Sequence, residues 1–355
     1  MLNLTIDGIP VRVEEGATVL EAARRAGVWI PTLCFLKGRS AAGSCRVCVV
    51  EVEGEPGLVA ACNTPAREGI AVFTATPRVE QARRTALQLV LAEHGLDSTD
   101  YCFSCVKNGA CELQAVCRAC GVGATPFSAS KPARPRQDAN PFLSFDPKLC
   151  IACQRCVGTC NAAVGNRTLH AAKQGPRTVI EAPFGEGWRT SGCESCGNCA
   201  QACPTGALTV KRRRSYSPWE VERVRTTCPH CATGCQVDLV VKDGRIVDAE
   251  GAGGPSNGGL LCVKGRSGSF DFVHAPDRLT APLVRNPATG ELEEASWDEA
   301  LSVVARELGR IRNEHGGAAL AAFACSRSTN EDVYLFQKMA RTALRTHNVD
   351  NCARV

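Results

Sequence analysis

The chain has 355 residues, among them 23 cysteines, while aromatic residues make up only 5% of the composition. Its 44% hydrophobic and 22% charged fractions are those of a globular protein, which excludes fibrous and disordered classes. No apolar run approaches the roughly 18 residues of a membrane-spanning helix. The net charge of +5 is small, and the only basic run is at residues 211–214, so we expect no transmembrane segment and no nucleic-acid partner.

The distribution of the cysteines is the main functional signal. The first residues, MLNLTIDG, have neither the basic nor the apolar region of a secretion signal, which predicts a cytoplasmic address. In a reducing compartment, so many cysteines indicate metal ligation rather than disulfides. They fall into five groups, with Cys325 and Cys352 apart: Cys34, Cys45, Cys48 and Cys62; Cys102, Cys105, Cys111, Cys117 and Cys120; Cys150, Cys153, Cys156 and Cys160; Cys193, Cys196, Cys199 and Cys203; and Cys228, Cys231, Cys235 and Cys262.

Residues 1–80 have the pattern of a small sheet domain. Apolar residues alternate on both sides of Asp7-Gly8, which predicts a hairpin, and Thr18-x-x-Glu21 predicts a capping box on a short helix that ends at Gly27. Glycines in the loop that follows allow close approach of the backbone to an inorganic sulfide. We expect a 2Fe-2S cluster on the thiols of this loop, Cys34, Cys45, Cys48 and Cys62.

Residues 81–125 contain the second group of cysteines. A helix is predicted over Val79–Glu93, and it leads directly to His94. The apolar positions of this helix are Ala82, Ala86, Leu89 and Val90. Three thiols are predicted to hold a 4Fe-4S cluster: Cys102, Cys105 and Cys111. His94 is a candidate fourth ligand because imidazole can replace a thiolate on iron, while Cys117 or Cys120 is an equal alternative and a histidine at a helix end is ordinarily a surface residue.

Residues 126–141 are proline-rich and aperiodic, which predicts a linker. The segment 142–212 then contains two complete runs of the bacterial ferredoxin type, in which three thiolates hold one 4Fe-4S cluster and the fourth reaches its neighbour. The predicted ligand sets are therefore Cys150, Cys153, Cys156 and Cys203 for one cluster, and Cys160, Cys193, Cys196 and Cys199 for the other. Zinc also binds CxxC pairs, but two complete runs favour iron–sulfur clusters.

Residues 221–276 contain the fifth group. Alternating apolar residues on both sides of Asp243-Gly244 predict a hairpin inside it. The group is predicted to hold a further 4Fe-4S cluster on Cys228, Cys231, Cys235 and Cys262. Here zinc is a more serious alternative, because C-x2-C-x3-C with one remote cysteine is less distinctive.

Residues 277–355 change to a helix–strand–helix pattern. Ser296-x-x-Glu299 and Ser328-x-x-Glu331 predict the starts of two helices. Between them, the apolar run Ala318 to Ala324 predicts a buried strand. This alternation predicts the start of an α/β domain.

The order of these groups resembles the alpha subunit of cytoplasmic, NAD-linked formate dehydrogenases of the molybdopterin oxidoreductase superfamily. The motifs that carry the resemblance are CRVC (45–48), CELQ (111–114), GCESCGNC (192–199), CVKGR (262–266), PDRLTAPL (276–283), SWDEAL (296–301) and NVDNCARV (348–355). The resemblance implies an α+β multidomain fold: a β-grasp 2Fe-2S domain, a His/Cys 4Fe-4S domain, a two-cluster bacterial-ferredoxin domain, a small β 4Fe-4S domain and the start of an α/β molybdopterin domain.

In that family, a molybdenum or tungsten ion held by two pterin guanine dinucleotides interconverts formate and carbon dioxide. The resemblance implies that electrons leave the pterin through the fifth group, with Lys264 between pterin and cluster, and reach a flavin- and NAD-binding iron–sulfur subunit at the other end of the relay. One departure is that His94 stands eight positions before Cys102, whereas the family spacing is His-x3-Cys.

The second departure concerns the end of the sequence. In the family, the metal-ligating cysteine or selenocysteine directly follows the segment that matches 348–355. The hypothesis from the sequence is a UGA selenocysteine codon read as a stop after Val355, the alternatives being a frameshift, a split gene or deliberate trimming. We accordingly expect these residues alone to be catalytically incomplete. The competing interpretations are a non-catalytic relay subunit of a hydrogenase and the large peripheral subunit of respiratory complex I.

Overall fold

A computed structural model of the chain describes residues 1–95, 99–128, 135–138, 140–174, 177–182, 191–211, 216–268 and 270–352. The chain forms two compact units. The first comprises Met1–Val224, Leu239–Gly251 and Leu260–Ser267, and the second comprises Arg225–Asp238, Ala252–Gly259 and Gly268–Val355. Within the described ranges, no helix is both long enough and apolar enough to cross a membrane.

The regular elements are mostly short. The α-helices are α1 (Val19–Arg25), α2 (Pro77–Glu93), α3 (Glu112–Ala119), α4 (Arg155–Gly158), α5 (Asn198–Ala202), α6 (Val263–Ser267), α7 (Trp297–His315) and α8 (Asn330–Thr342). The strands are β1 (Leu2–Ile6), β2 (Ile9–Val13), β3 (Phe35–Leu36), β4 (Ser40–Ala41), β5 (Val49–Val52), β6 (Val59–Ala60), β7 (Ala71–Phe73), β8 (Leu143–Phe145), β9 (His170–Gln174), β10 (Arg177–Glu181), β11 (Leu208–Val210), β12 (Glu222–Thr227), β13 (Gln236–Lys242), β14 (Arg245–Gly251), β15 (Leu283–Arg285), β16 (Leu292–Glu294), β17 (Ala322–Ala324) and β18 (Val349–Asn351).

The N-terminal domain is a five-stranded sheet in the order β2-β1-β7-β5-β6, covered by α1. The predicted hairpin is confirmed, with Asp7 at φ 49° and Gly8 at φ 80° in its turn. The capping box is confirmed too: the Thr18 hydroxyl accepts from the Glu21 N–H at 3.2 Å, and the Glu21 carboxylate accepts from the Thr18 N–H at 3.0 Å. This cap fixes where α1 begins and therefore where its apolar face meets the sheet.

Helix α2 begins at Pro77, two residues before the predicted start, because the Thr76 hydroxyl caps it by accepting from the Val79 N–H. The predicted apolar stripe is wrong at Leu89, whose side chain is 52% exposed. The predicted Val90 is buried, and together with Leu87, which was not predicted, it packs against α3 residues such as Val116. The buried face of α2 is therefore the one that contacts α3, and the number of apolar residues on a face does not determine which face is buried.

The ferredoxin-like part joins β8 and β11 in an antiparallel pair, with α4 and α5 each beginning just before the third cysteine of a run. Strands β9 and β10 form a second antiparallel pair in the long insert between Cys160 and Cys193. Parts of three predicted features lie outside the described residues: the linker at 129–134 and 139, the basic run at 212–214, and the motif at 348–355 from residue 353 onward.

Strands β12, β13 and β14 form a three-stranded sheet in that order, and the predicted β13–β14 hairpin is confirmed, with Asp243 at φ 49° and Gly244 at φ 72°. Both turn residues are left-handed, as this hairpin type requires.

The last segment is the predicted start of an α/β domain, since β17 and β18 pair in parallel and α8 connects them. Ser296 caps α7 as expected. The predicted cap at Ser328 is wrong, because Thr329 and Asp332 form the capping box of α8 one residue later. The predicted buried strand is shorter than expected and only partly buried, with Phe323 74% exposed.

Candidate iron–sulfur sites

The first site lies in the loop after α1, where four thiols converge. Cys34 hydrogen-bonds both Cys45 and Cys62, and Cys48 hydrogen-bonds Cys62. The hydrogen bond from Cys62 lowers the pKa of Cys48 to about 7. Gly43 and Arg46, at φ 62° and 56°, turn the backbone around the sulfurs. Four thiols packed against each other, three of them only 1% exposed, form a ligand set that fits a small iron–sulfur cluster.

The second site is a cavity of about 220 Å³ beside the end of α2. His94, at the end of α2, is only 4% exposed. Its Nδ1 donates to the carbonyl oxygen of Leu149 at 2.7 Å, since a carbonyl can only accept. That bond fixes the tautomer in which Nε2 carries the ring's lone pair, the arrangement typical of a metal-ligating histidine. The cavity lining contains His94 and all three predicted thiols of this group, Cys102, Cys105 and Cys111.

The two alternative ligands for this site, Cys117 and Cys120, do not line the cavity as described, and Cys117 lies near Cys111 and Cys102. Cys117 is completely buried among Leu113 and Val116, in the core between α2 and α3. Burial raises the pKa of its thiol to about 12, as expected of a thiol in an apolar core. Cys120 packs at the margin of the same core. The cavity lining, as far as the structure describes it, includes His94 and neither Cys117 nor Cys120.

At the third and fourth sites, thiols from the two cysteine runs lie close to each other. Burial raises the pKa of the Cys153 thiol, and the next contribution is the negative charge of Cys203, from the other run. Burial likewise raises the pKa of Cys199, followed by the charges of Cys196 and Cys160. A small cavity is lined by all four members of the second set, Cys160, Cys193, Cys196 and Cys199.

The backbones of the two runs match residue by residue. Ala152 and Ser195, at equivalent positions, have φ of 50° and 57°, and each donates its N–H to the sulfur two residues earlier at 3.4 Å. Gln154 and Gly197, the residues before α4 and α5, are also left-handed. N–H···S bonds favour the thiolate form. Sequence reasoning missed these positions because Ala, Ser and Gln carry no general preference for positive φ.

Several contacts link these sites within the first unit. Arg155, buried beside Cys156, donates to the Glu112 carboxylate at 2.7 Å, next to Cys111. Gly206 lies so close to the second site that a Cβ there would stand 2.6 Å from the Cys105 sulfur. At the first site, Gly158 of α4 packs on the backbone of Arg39, leaving no room for a side chain.

One buried residue beside the fourth site was missed by sequence reasoning. Arg266 of α6 is 6% exposed. Its Nε donates to the carbonyl oxygen of Cys196 at 2.9 Å, and its Nη2 donates to Asn198 and Gln201 at 3.1 and 2.6 Å. The acceptors lie 65 to 70 positions away in sequence, so no local motif could reveal them.

The fifth group is divided between the two units. In the second unit, the Cys228 N–H donates to the Cys235 carbonyl at 2.8 Å and closes the loop that contains Cys231. In the first unit, Cys262 immediately precedes α6, on which Lys264 is exposed. Across the described residues, no group of three or more His, Cys, Asp or Glu side chains is arranged to hold a single metal ion.

Five protein families match successive parts of the chain. They are described as a 2Fe-2S iron-sulfur cluster binding domain (residues 1–77), an NADH-ubiquinone oxidoreductase-G iron-sulfur binding region (83–126), an NADH-quinone oxidoreductase subunit 3 ferredoxin-like domain (140–209), a molybdopterin oxidoreductase Fe4S4 domain (221–273) and a molybdopterin oxidoreductase (278–355).

Curated relatives match along the whole chain. The chain is 38% identical over 356 residues to the NADPH-Fe(3+) oxidoreductase subunit alpha of Geobacter sulfurreducens, and 38% identical over 359 residues to an NADH-quinone oxidoreductase subunit of Rhizobium meliloti. It is 31% identical over 399 residues to a putative formate dehydrogenase of Staphylococcus aureus. The chain spans 40%, 40% and 39% of these relatives' own lengths.

A solved structure also resembles the chain. It is the crystal structure of an NAD+-reducing [NiFe]-hydrogenase in the H2-reduced state, with a TM-score of 0.55 and 34% sequence identity. The match covers 61% of this chain and 90% of that one.

Proposed function

We propose that the described residues form a relay of five clusters, because parts of the chain match molybdopterin oxidoreductase domains and an iron–sulfur region of the NADH-ubiquinone oxidoreductase-G type. The relay connects a pterin-bound metal centre with a nicotinamide-linked flavin subunit. The proposed domains are residues 1–80, 81–125, 142–212, 221–276 and 277–355, with 126–141 as a linker. The clusters supply one-electron redox steps, and the protein supplies their ligands, spacing and electrostatic surroundings.

The proposed ligands follow the five groups. One 2Fe-2S cluster is held by Cys34, Cys45, Cys48 and Cys62. Four 4Fe-4S clusters are held by His94, Cys102, Cys105 and Cys111; by Cys150, Cys153, Cys156 and Cys203; by Cys160, Cys193, Cys196 and Cys199; and by Cys228, Cys231, Cys235 and Cys262. Cys117 and Cys120 remain outside these sets because the described lining of the second-site cavity includes neither of them.

The observation that carries the proposal is the adjacency of the first four sites. Arg155 and Glu112 bridge the second and third sites, and Gly158 packs against Arg39 beside the first. A relay requires clusters within tunnelling distance of each other, and the small residues and direct ion pair support such short separations.

We propose further that formate is the substrate of the whole protein, interconverted with carbon dioxide at a molybdenum or tungsten bis-pterin guanine dinucleotide. The support is the 31% identity with putative formate dehydrogenases and the CVKGR motif. In this proposal, Lys264 stands between the pterin and the Cys262 cluster, where its positive charge favours the reduced cluster. The partner is a diaphorase-like subunit that binds flavin, NAD and iron–sulfur clusters.

A second candidate is a relay without formate chemistry, in an assembly driven by NADPH or NADH. The observation that favours it is the higher identity, 38%, with relatives named for NADPH and NADH. In this case the clusters receive electrons from a nicotinamide and pass them to another acceptor.

Two measurements on the full-length protein test these proposals. Iron and sulfide analysis with electron paramagnetic resonance (EPR) should give one 2Fe-2S and four 4Fe-4S clusters, and a lower content after anaerobic reconstitution would contradict the relay. Anaerobic addition of formate should then reduce the clusters in the visible spectrum. Bleaching by NADPH with its flavin partner but not by formate would reject the formate proposal and leave the relay intact.

A further inference from the structure

Two cysteines outside all five ligand sets occupy equivalent positions at the ends of neighbouring strands. Strands β17 and β18 are parallel, and their last partners are Ala324 and Asn351. Cys325 and Cys352 are the next residues, so the register places them side by side. Neighbouring strands lie about 4.8 Å apart, which is inside the roughly 4.4 to 6.8 Å range of Cα separations that a disulfide spans.

The side chains of the pair also approach each other. The thiol of Cys325 donates a hydrogen bond to the Cys352 sulfur, and the Ser326 hydroxyl lies 3.7 Å from that sulfur. The Arg327 N–H donates to the Cys325 sulfur at 3.4 Å. Both cysteines are exposed in this chain. Hydrogen bonding, first from the Ser326 backbone, lowers the pKa of Cys352, which increases its thiolate fraction.

We propose that Cys325 and Cys352 are a redox-active thiol pair, which a small-molecule disulfide such as oxidised glutathione converts into an intramolecular disulfide. The Cys352 thiolate attacks the small disulfide, forms a mixed disulfide and releases one small thiol. The Cys325 thiolate then attacks the Cys352 sulfur and releases the second small thiol. The two cysteines lose two electrons and two protons in total, and the small disulfide gains them.

The pair lies beside a loop with a proposed role. The carbonyl of Ser326, the residue after Cys325, accepts a hydrogen bond from the Ala232 N–H at 3.0 Å, and Ala232 directly follows Cys231. A disulfide would tie β17 to β18 at the turn that supports the Cys231 loop. Oxidation of the thiol pair by small disulfides would therefore change the structure next to the Cys231 loop, which belongs to the fifth group.

Peptide mapping of the intact full-length holoprotein tests the proposal. The protein is treated anaerobically with oxidised glutathione, blocked with N-ethylmaleimide, unfolded and digested with trypsin. Cys325 falls in the peptide of residues 313–327 and Cys352 in that of residues 346–354, each with one cysteine. We expect these two peptides joined, with the linkage lost after dithiothreitol.

Matched variants make the result decisive. Cys325→Ser should stop at a mixed disulfide of glutathione on Cys352, and Cys352→Ser, which also lacks the partner thiol, should form no intramolecular disulfide. Cys117→Ser, which removes a buried thiol elsewhere, should leave the linked peptides unchanged. The proposal is overturned if the native protein gives separate mixed disulfides, if linkage occurs only in denaturant, or if both thiols stay unmodified at a glutathione concentration that modifies exposed cysteines of a control protein.

Discussion

His94 and Leu149 join two of the candidate sites through one hydrogen bond, from the imidazole Nδ1 to the Leu149 carbonyl at 2.7 Å. Leu149 directly precedes Cys150, the first thiol of the third site. The bond therefore fixes the ring of a proposed ligand at one cluster to the ligand loop of the next. It also orients the histidine toward the cavity that it shares with Cys102 and Cys105.

Substitutions of His94 test whether this residue, rather than Cys117 or Cys120, is the fourth ligand of the second cluster. His94→Ala should remove one 4Fe-4S signal from the EPR spectrum, because a ligand is lost. His94→Cys should retain the cluster at a lower midpoint potential, since a thiolate adds negative charge where a neutral imidazole stood. Redox titration followed by EPR measures both effects.

The matched controls are the two alternative cysteines. Cys117→Ser and Cys120→Ser should keep every cluster signal, and the main cost of Cys117→Ser should be to stability, because it places a hydroxyl in an apolar core. Loss of a 4Fe-4S signal in either serine variant, with all signals intact in His94→Ala, would reverse the ligand assignment.

The crossed ligation predicts a specific pattern in double variants. Cys203→Ser should cost one cluster, about four iron atoms per chain. Combining it with Cys156→Ser should cost no more, because both cysteines serve one cluster. Combining it with Cys199→Ser should cost two clusters. Iron analysis of the three proteins measures this non-additivity, and equal losses in the two double variants would contradict the crossing.

The cap of α1 predicts a local effect on stability. Thr18→Ala removes the hydroxyl that accepts from the Glu21 N–H, and such a loss costs about 1 kcal/mol. Amides in α1 should then exchange with deuterium about fivefold faster, while those of α8 stay unchanged. Thr18→Ser retains a hydroxyl and should restore most of the protection, and uniform exchange changes across the chain would point to global rather than local destabilisation.

A structural feature of this protein could be predicted from the sequence when the residues that determine it lie close together along the chain. Cysteine spacing within each run is local, so the cysteine groups and the Asp7-Gly8 turn followed from sequence. The crossed ligand sets stay a prediction. The Ser328 cap failed because the adjacent Thr329 forms a better reciprocal pair with Asp332. The surroundings of His94 and the buried position of Arg266 depend on residues more than fifty positions away, which no short pattern contains.

Arg266 illustrates what such distant contacts add. Its guanidinium, buried beside the fourth site, donates to the Cys196 carbonyl and to the Asn198 and Gln201 side chains. A buried positive charge close to a cluster stabilises the electron added on reduction. We therefore expect Arg266 to act as a positioning residue that raises the midpoint potential of the cluster on Cys160, Cys193, Cys196 and Cys199.

Two variants separate charge from packing at this position. Arg266→Gln removes the charge and should lower the midpoint potential of that one cluster, measured by EPR-monitored titration. Arg266→Lys keeps the charge and should lie between the wild type and Arg266→Gln. Both variants leave acceptors unpaired and should lose about 1–3 kcal/mol of stability. Equal stability losses with an unchanged potential in Arg266→Gln would mean that Arg266 only holds the fold, because a purely structural contact does not alter the energy of the added electron.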